Sequence, residues 1–531
     1  MANLQPVLDL LITNGLVLDG SGNDGFRAAV GIEDNSIRLF RGDAAGLEAK
    51  RVIDATDRVV CPGFIDMHAH SGLVMLAEPE HEPKVRQGVT TEVIGVDGNS
   101  YAPFRSPQDL DAFVRLNSGL DGDPTLDLRW STVERYLLAF DRKAAVNVAY
   151  VIGNSPLRIN AVGWDAHAAG ADQVEDMKAM LREGMEEGAF GMSTGLDYPP
   201  GSYASTDELV ELSKQAARLG GIYHTHVRYQ LGDRFLDPFR EAIEIGRRSG
   251  VAVHVTHFYQ RVPVAGAAER MLRLLEDARE EGVDVTFDSY PYTLSSTRLL
   301  IVLPGWVQEG GPKRLLDALG EPDVRQRLRR EVSPRGPSWQ EMWLTNFRKP
   351  ENHVFEGRSV AEVAAMLGKP EVDAICDLLV AEALRVCYVT AGVNGNTLPK
   401  FVAHPLSMVG SDGVLLGDFP SPRTYGTFPV ILSEFVRMEG FLSLREAIRK
   451  MTSFPAQRLG LEDRGLLRDG MRADIVVFDP DAVSAPATRT LPKQHPTGID
   501  FVIVNGELVV ESGRHTGALP GRALRRGRSL S

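Results

Sequence analysis

Two histidines, His68 and His70, stand one residue apart in the stretch GFIDMHAHSG, directly after an apolar run. Side chains of a β-strand point alternately to its two faces, so both imidazoles lie on one face where the strand ends. A single histidine there is compatible with an ordinary buried core, but a pair on one face is typical of a metal chelate. We therefore interpret the pair as one half of a metal site.

Three further residues that can do chemistry follow apolar runs later in the chain. His226 lies in HTHVR, His257 in HVTH and Asp412 in VGSDG. Four imidazoles with one or two carboxylates suit zinc, or another borderline divalent ion, better than magnesium or calcium, which prefer oxygen ligands. Such an ion generates hydroxide near neutral pH and polarises a carbonyl group. The pattern predicts a catalytic metal site, with Asp412 as a catalytic carboxylate rather than a turn cap.

Two neighbouring histidines receive different interpretations. His224 shares a strand face with His226 but lies one layer deeper, which indicates a core or supporting group. His254 precedes His257 by three residues, so strand alternation predicts that it faces the outer helices if His257 faces inward.

The elements that must position these side chains are eight strand-like runs, most of them separated by helical segments. The runs are GFIDMHAH, TTEVIGVDG, VNVAYVIGN, GAFGMSTG, GIYHTHVR, VAVHVTH, VDVTFDSYP and LSMVGSDG. Eight such units predict a closed parallel (β/α)8 TIM barrel, in which functional groups gather at the C-terminal ends of the strands. The alternative, an open doubly wound sheet, usually carries a Gly-rich phosphate loop after its first strand, and this sequence contains none.

The two ends of the chain differ from its middle in their sequence pattern. Both contain short β patterns separated by turn signals such as Asn-Gly and Asp-Gly. We predict one small β domain from residues 1–61 and 460–531, around a barrel of residues 62–459. The spacing of the barrel strands is regular except before the last one, which predicts an inserted small domain at about 295–350.

Composition and charge argue against several classes of partner. A net charge of −13 at pH 7 disfavours nucleic acid and anionic membrane surfaces. The three cysteines, Cys61, Cys376 and Cys387, do not make a disulfide framework and indicate a reducing compartment. No apolar run reaches the roughly 18–20 residues of a membrane span, and the first residues lack the basic start of a signal peptide. We expect a cytoplasmic protein.

Over nearly its whole length the sequence resembles the amidohydrolase superfamily and, within it, the N-acyl-D-amino-acid deacylases (D-aminoacylases). GFIDMHAH alone identifies the superfamily, whereas GLDYPPGSY, YPYT and SPRTYGTFP together are much more specific. The resemblance implies a metal-dependent barrel, a β-sandwich built from both termini, and a small domain inserted before the last strand. It also implies hydrolysis of the amide bond of N-acyl-D-amino acids, or of closely similar N-acylated compounds that carry a carboxylate.

The resemblance further implies roles for individual residues. His226 and His257 would bind a tight zinc ion, and His68 and His70 would belong to a second, weaker metal position. Asp412 would be the general base that takes a proton from the activated water and delivers it to the amide nitrogen.

Substrate contacts are implied in the same way. Tyr198, Tyr290 and Ser296 match family contacts, and Arg423 would pair with the substrate carboxylate, since a planar guanidinium suits that bidentate partner. Arg228 is a second candidate for the carboxylate. For both arginines the alternative is a salt bridge that fixes a loop.

Three positions depart from the family pattern. Asp97 stands where a cysteine ligand is common, Tyr259 where a lysine is common, and Asn154 where a histidine is common. We predict that Asp97 is a metal ligand, which with two oxygens could bridge two ions and would tolerate manganese or cobalt better than cysteine does. The alternative is a turn residue, because Asp-Gly is a common turn signal. Both one and two ions are compatible with this ligand set.

Two other functions compete with deacylation. A cyclic-amide hydrolase of the hydantoinase or dihydroorotase type would often use a carboxylated lysine to bridge its metals, and none of the eight strand ends offers a lysine. A catalytically inactive scaffold would be expected to lose metal ligands or the base, whereas all four histidines and Asp412 are present. The oligomeric state stays open.

Overall fold

The computed structural model describes residues 7–42, 46–229, 234–261 and 263–527 of the chain. The first six residues, part of the segment in which a signal peptide was sought, therefore lie outside the described residues. Within the described ranges, no helix combines the length and the apolar character that a membrane crossing requires.

The strands are distributed over the whole chain and are numbered here in chain order. They are β1 (Leu10–Thr13), β2 (Leu16–Val17), β3 (Phe26–Arg27), β4 (Ala29–Glu33), β5 (Ser36–Phe40), β6 (Val52–Asp54), β7 (Val59–Pro62), β8 (Phe64–Asp66), β9 (Val89–Ile94), β10 (Asn147–Tyr150), β11 (Ile152–Gly153), β12 (Gly191–Gly195), β13 (Ile222–His226), β14 (Ala252–Val255), β15 (Val285–Ser289), β16 (Leu294–Arg298), β17 (Met342–Thr345), β18 (Cys387–Ala391), β19 (Ser407–Val409), β20 (Ile475–Phe478), β21 (Ile499–Val504), β22 (Glu507–Glu511) and β23 (Arg514–His515).

The α-helices lie mainly between β8 and β20. They are α1 (Val74–Ala77), α2 (Glu82–Val85), α3 (Pro107–Asn117), α4 (Val133–Leu138), α5 (Asn154–Ala161), α6 (Ala171–Glu186), α7 (Thr206–Arg218), α8 (Asp237–Ser249), α9 (Ala267–Glu280), α10 (Gly305–Gln308), α11 (Gly311–Ala318), α12 (Pro322–Glu331), α13 (Val360–Leu367), α14 (Glu371–Ala381), α15 (Leu398–Ala403), α16 (Arg423–Val430), α17 (Leu444–Met451) and α18 (Ser453–Leu459). Helix α16 continues directly into a π-helical segment, Ile431–Met438.

Strands from both ends of the chain form two sheets. One has the order β5-β4-β1-β6, and the other has the order β23-β22-β21-β20-β7-β2-β3. Apolar side chains from both sheets share one core, among them Ile12 and Val30 from the first sheet and Val60, Ile475 and Ile503 from the second. The two ends of the chain thus build a small β-sandwich next to the barrel.

Eight parallel strands form the barrel, and each of the eight predicted runs supplies one of them. The order is β8, β9, β10 continued by β11, β12, β13, β14, β15 and β19. The barrel closes between its first and last strands, where Met67 N–H donates to Val409 O at 3.2 Å and Ala69 forms a parallel bridge with Gly413. The predicted (β/α)8 barrel is confirmed.

The barrel strands are buried along almost their whole length, with only Ala252 of β14 half-buried, because helices cover their outer faces. Every residue of β9 and β13 is buried, as expected for parallel strands packed on both sides. Helix α7 shows how a helix covers them: Ser205 caps its first turn, and Leu209, Leu212 and Ala216 form the buried stripe that faces the strands.

A third sheet lies in the segment between β15 and β19. Its order is β16-β18-β17, with antiparallel pairing. It has its own apolar core, which includes Leu300, Leu344 and Leu379. Strand β18 lies beyond residue 350, so the sheet draws on residues on both sides of that limit.

A buried ion pair joins two helices that flank the strands of the site. Arg158 of α5 is fully buried, and its guanidinium donates to the Glu208 carboxylate of α7 and to His167 O at 2.9 Å. Removing one partner of such a pair leaves an uncompensated charge in the interior.

We expect Glu208→Ala to lower the free energy of unfolding by about 3–5 kcal/mol, because Arg158 then stays charged and buried. Urea unfolding followed by circular dichroism measures the change. Glu211→Ala on the same helix is the control, since the Glu211 side chain is 41% exposed and an exposed pair contributes less than about 1 kcal/mol. Equal urea midpoints for the two variants would show that the buried pair does not stabilise the fold.

Candidate metal centre and active site

Six side chains from five strand ends meet at one mouth of the barrel. His226 is the last residue of β13, and the others lie two to four residues after their strands end. The set is His68 and His70 after β8, Asp97 after β9, His226, His257 after β14, and Asp412 after β19; all six are buried. The structure thus brings together every residue for which a metal-binding or catalytic role was predicted.

The carboxylate of Asp97 lies at the centre of this group. Its Oδ2 is 3.4 Å from His226 Nδ1 and 3.5 Å from His68 Nε2. The same oxygen is 3.7 Å from His70 Nε2 and 3.9 Å from His257 Nε2. Asp97 and Gly98 both have positive φ, 54° and 69°, so the Asp-Gly turn of the alternative interpretation is present as well. Asp97 therefore belongs to a turn and also places its carboxylate at the centre of the cluster.

These separations fit a bound metal ion. Ligand atoms about 2.1 Å from a tetrahedral metal lie about 3.4 Å from one another, and His226 Nδ1 and His257 Nε2 are 3.1 Å apart. Two triads, Asp97 with His226 and His257 and Asp97 with His68 and His70, each keep their ligand atoms within 4.8 Å. Asp97 Oδ1 is buried and has no hydrogen-bond partner among the described residues. The donor set therefore suits one divalent ion or two that share Asp97.

The electrostatics of the cluster favour a bound cation. Burial opposes ionisation of Asp97, but the charges of His68 and His226 outweigh it and lower the pKa of Asp97 well below its usual range. Burial would lower the pKa of His70, yet its hydrogen bonds to Asp121 and Asp412 raise it to about 9. Burial likewise opposes protonation of His68, and Asp97 and Asp412 raise its pKa well above the ordinary value. The buried, ionised carboxylates are thus stabilised by positive charge, which protonated histidines or a bound metal ion can supply.

The backbone is strained at the same positions. Asp97, His257 and Asp412 have φ angles of 54°, 36° and 47°, a region that residues other than glycine rarely adopt. Such conformations concentrate at functional sites because the surrounding structure maintains them. Gly195 allows a close approach here, since a Cβ at this position would lie 2.0 Å from Asp97 O.

Residues outside the cluster hold its imidazole rings in place. His70 Nδ1 lies 2.9 Å from Asp121 Oδ1, His226 Nε2 lies 3.5 Å from Asp197 Oδ2, and Tyr229 OH lies 2.8 Å from His257 Nδ1. Partners of this kind fix the orientation of a metal-binding imidazole. No sequence pattern indicates Asp121, Asp197 or Tyr229, because they lie in connecting segments without a repeating spacing.

The two neighbouring histidines behave differently from each other. His224 is buried with Nε2 at 2.9 Å from Met67 O, which confirms a deeper, supporting group. The prediction that His254 faces the helices is wrong: its ring stacks on His224 at 5.1 Å, and its Nε2 lies 3.0 Å from Asp288 Oδ2. Strand β14 ends at Val255, so the alternation of faces cannot be carried on to His257.

Asp412 stands between the histidines and an arginine. Its Oδ1 lies 3.2 Å from His70 Nε2, and its Oδ2 lies 2.9 Å from Arg423 Nη2. Burial opposes the charge of Asp412, but Arg423 and His68 lower its pKa below the ordinary range. Asp412 is therefore an ionised carboxylate that can accept a proton.

A cavity of about 80 Å³ opens beside the cluster. The predicted contacts Tyr198 and Ser296 line it, together with Leu120, Asp197, Tyr259, Arg261, Ser295, Thr297, Ile301, Arg335, Tyr388 and Thr390. Tyr290 lies behind this lining and donates its hydroxyl to Tyr259 OH at 2.6 Å.

The two predicted carboxylate partners lie outside the lining of the cavity. Arg423 is fully buried behind Asp412, with its Nη2 also donating to Ser296 O at 3.1 Å. Arg228 donates to Ser202 O at 2.6 Å and to Ala204 O at 3.0 Å, and it faces Glu241. Their direct contact with substrate stays a prediction.

Comparison with known proteins agrees with this architecture. The model of the amidohydrolase family matches residues 51–510. An N-acyl-D-glutamate deacylase from Alcaligenes xylosoxydans xylosoxydans is 34% identical over 533 residues, covering 99% of both chains. A D-aminoacylase from the same organism is 34% identical over 527 residues, covering 98% of both chains.

A solved structure is similar over the same extent. The N-acyl-D-glutamate deacylase of Bordetella bronchiseptica, complexed with zinc and a phosphonate inhibitor, superposes with a TM-score of 0.84 at 31% identity, covering 98% of this chain and 100% of that one. Sequence motifs, family model, full-length relatives and fold agree, and the chain belongs to the amidohydrolase family, within its group of N-acyl-D-amino-acid deacylases.

Proposed function

We propose that the protein hydrolyses the amide bond of N-acyl-D-amino acids with the help of one or two divalent metal ions, zinc first among them. The observation that carries this proposal is the buried Asp97 carboxylate among four imidazoles, with the ionised Asp412 beside it and a small cavity in front. The full-length relatives named for this activity support it.

The similarity to these relatives does not indicate which N-acyl-D-amino acid is the substrate. The N-acyl-D-glutamate deacylase and the D-aminoacylase share the same 34% identity with this chain. The relatives therefore support the deacylation reaction, but they do not indicate which side chain the substrate carries. A panel of N-acetyl-D- and N-acetyl-L-amino acids tests both the reaction and the stereochemistry.

The ligand roles follow from the two triads. His226, His257 and Asp97 would hold one ion, and His68 and His70 would complete a second position with the same carboxylate. A divalent ion bound there would supply Lewis-acid activation of water and of the amide carbonyl.

Asp412 performs the proton transfers in this proposal. Its Oδ1 accepts a proton from the attacking water and then donates it to the amide nitrogen, so that the C–N bond breaks into a carboxylic acid and a free amine. Arg423 keeps Asp412 ionised and fixes one of its oxygens, which leaves the other facing the histidines.

A cyclic-amide hydrolase with a carboxylated lysine fits the cavity less well. No lysine stands among the described residues that line the cavity. Asp97 takes the central position instead, and it carries its negative charge without carboxylation.

The double variant His226→Ala with His257→Ala should lose bound metal and activity together, because one triad then keeps a single ligand. Metal analysis of the purified protein and turnover of the best N-acetyl-D-amino acid measure both effects. His167→Ala with His353→Ala, which removes two exposed histidines, is the control. Stoichiometric metal in the cluster variant would reject the assignment.

Substitutions of Asp97 test the central carboxylate. Asp97→Ala should lower metal occupancy and activity, since both triads lose their common ligand. Asp97→Cys should keep one zinc and part of the activity, because a thiolate is a good zinc ligand but does not offer two oxygens. Full metal occupancy in Asp97→Ala would leave Asp97 as a turn residue only.

Asp412→Asn keeps the shape of the side chain and removes its basicity. We expect kcat to fall by about two to four orders of magnitude, the usual size of positioned acid–base catalysis, while the metal stays bound. The control is Asp418→Asn, six residues later, whose side chain is 74% exposed. Near-normal kcat in Asp412→Asn would exclude it as the proton carrier.

A further inference from the structure

Arg261 is a cation of the cavity that forms no ion pair with any carboxylate of the described residues. It is half-buried and lines the cavity directly. Its polar contacts are Tyr259 OH at 3.0 Å and His257 Nδ1 at 3.4 Å from Nη2, and its buried Nε has no partner among the described residues. None of the described carboxylates forms an ion pair with it, and a guanidinium removed from bulk water without an anion is costly.

Two tyrosines hold the guanidinium of Arg261 in a fixed plane. Its Cζ lies 3.8 Å from the ring centre of Tyr229 and 4.8 Å from that of Tyr259. Tyr290 supports Tyr259 from behind through the hydroxyl pair at 2.6 Å. Cation–π contacts on two sides keep the N–H groups in position before any ligand arrives.

The other arginines near the cavity are already engaged. Arg335 faces Asp197 at 3.6 Å, and Arg423 is paired with Asp412 at 2.9 Å. Two guanidinium nitrogens of Arg423, Nε and Nη1, have no hydrogen-bond partner among the described residues, but they are buried and the residue does not line the cavity. A substrate carboxylate placed at Arg423 would also lie next to the Asp412 carboxylate and would be repelled by it.

The position of Arg261 fits the connectivity of an N-acylated amino acid. The α-carboxylate carbon is two bonds from the amide nitrogen, roughly 2.5 Å away. A cation that binds this carboxylate must therefore lie beside the metal ligands. Arg261 does so, through its 3.4 Å approach to His257.

We propose that Arg261 makes the primary contact with the carboxylate of the substrate, in preference to Arg423 and Arg228. The proposal rests on the deacylase function proposed above. It also gives Arg423 a different task, which is to hold the general base.

The test compares the free acid and the primary amide of whichever N-acetyl-D-amino acid the wild-type enzyme hydrolyses best. In Arg261→Gln, kcat/KM for the acid should fall about 100-fold, mainly through KM, as expected when a charge-assisted contact is lost. The amide should change less than about threefold, so the preference for the acid collapses. Arg261→Lys should keep part of the preference, because it keeps the charge but not the planar fork.

The acid-to-amide ratio is measured within one protein sample, so partial misfolding of a variant does not change it. Arg327→Gln is the matched control, since Arg327 also lies 3.8 Å from an aromatic ring, that of Trp306, but outside the cavity. An unchanged ratio in Arg261→Gln, or a collapse in Arg423→Gln alone, would overturn the proposal. Wild-type protein that hydrolyses no member of the panel would overturn the deacylase function itself, and the carboxylate contact with it.

Discussion

The barrel mouth depends on keeping the Asp97 carboxylate ionised while it is buried. An uncompensated charge in a protein interior costs several kcal/mol, so positive charge must be supplied nearby. The four surrounding imidazoles can supply it only when protonated, and an imidazole that binds a metal is neutral. Asp97 therefore makes the site depend on a cation. His68, His70 and His226 have raised pKa values and can carry the positive charge, whereas burial lowers the pKa of His257 to about 4 and keeps it neutral.

The geometry of the cluster depends on how the first and last strands of the barrel are joined. Asp66 at the end of β8 accepts His68 N–H at 3.1 Å and Ser411 N–H at 2.8 Å through the same oxygen. The buried Lys84 donates to the other oxygen of Asp66 at 2.7 Å. These bonds connect the first and last strands directly below His68 and Asp412, so the closure of the sheet determines the distance between these two side chains.

The sequence predicted those parts of the site that follow a strand period or occupy a strand end. Eight apolar runs predicted the barrel, and the spacing of His68 and His70 predicted a chelating pair. The prediction that His254 faces the helices was wrong, because it extended the alternation of strand faces past the end of β14, to a position where His257 has a positive φ. Asp121 and Arg261 could not be found in this way, since their roles depend on contacts between segments distant in sequence or on loop conformation.

The metal cluster and much of the cavity lining belong to different parts of the chain. The cluster around Asp97 belongs entirely to the ends of barrel strands. Much of the cavity lining, by contrast, lies between β15 and β19: Ser295, Ser296, Thr297, Ile301, Arg335, Tyr388 and Thr390. This segment packs around its own apolar core, so its surface can change without disturbing the strands that carry the ligands. In this chain the charge requirement of Asp97 constrains the metal cluster, while the inserted segment determines much of the shape and polarity of the space in front of it.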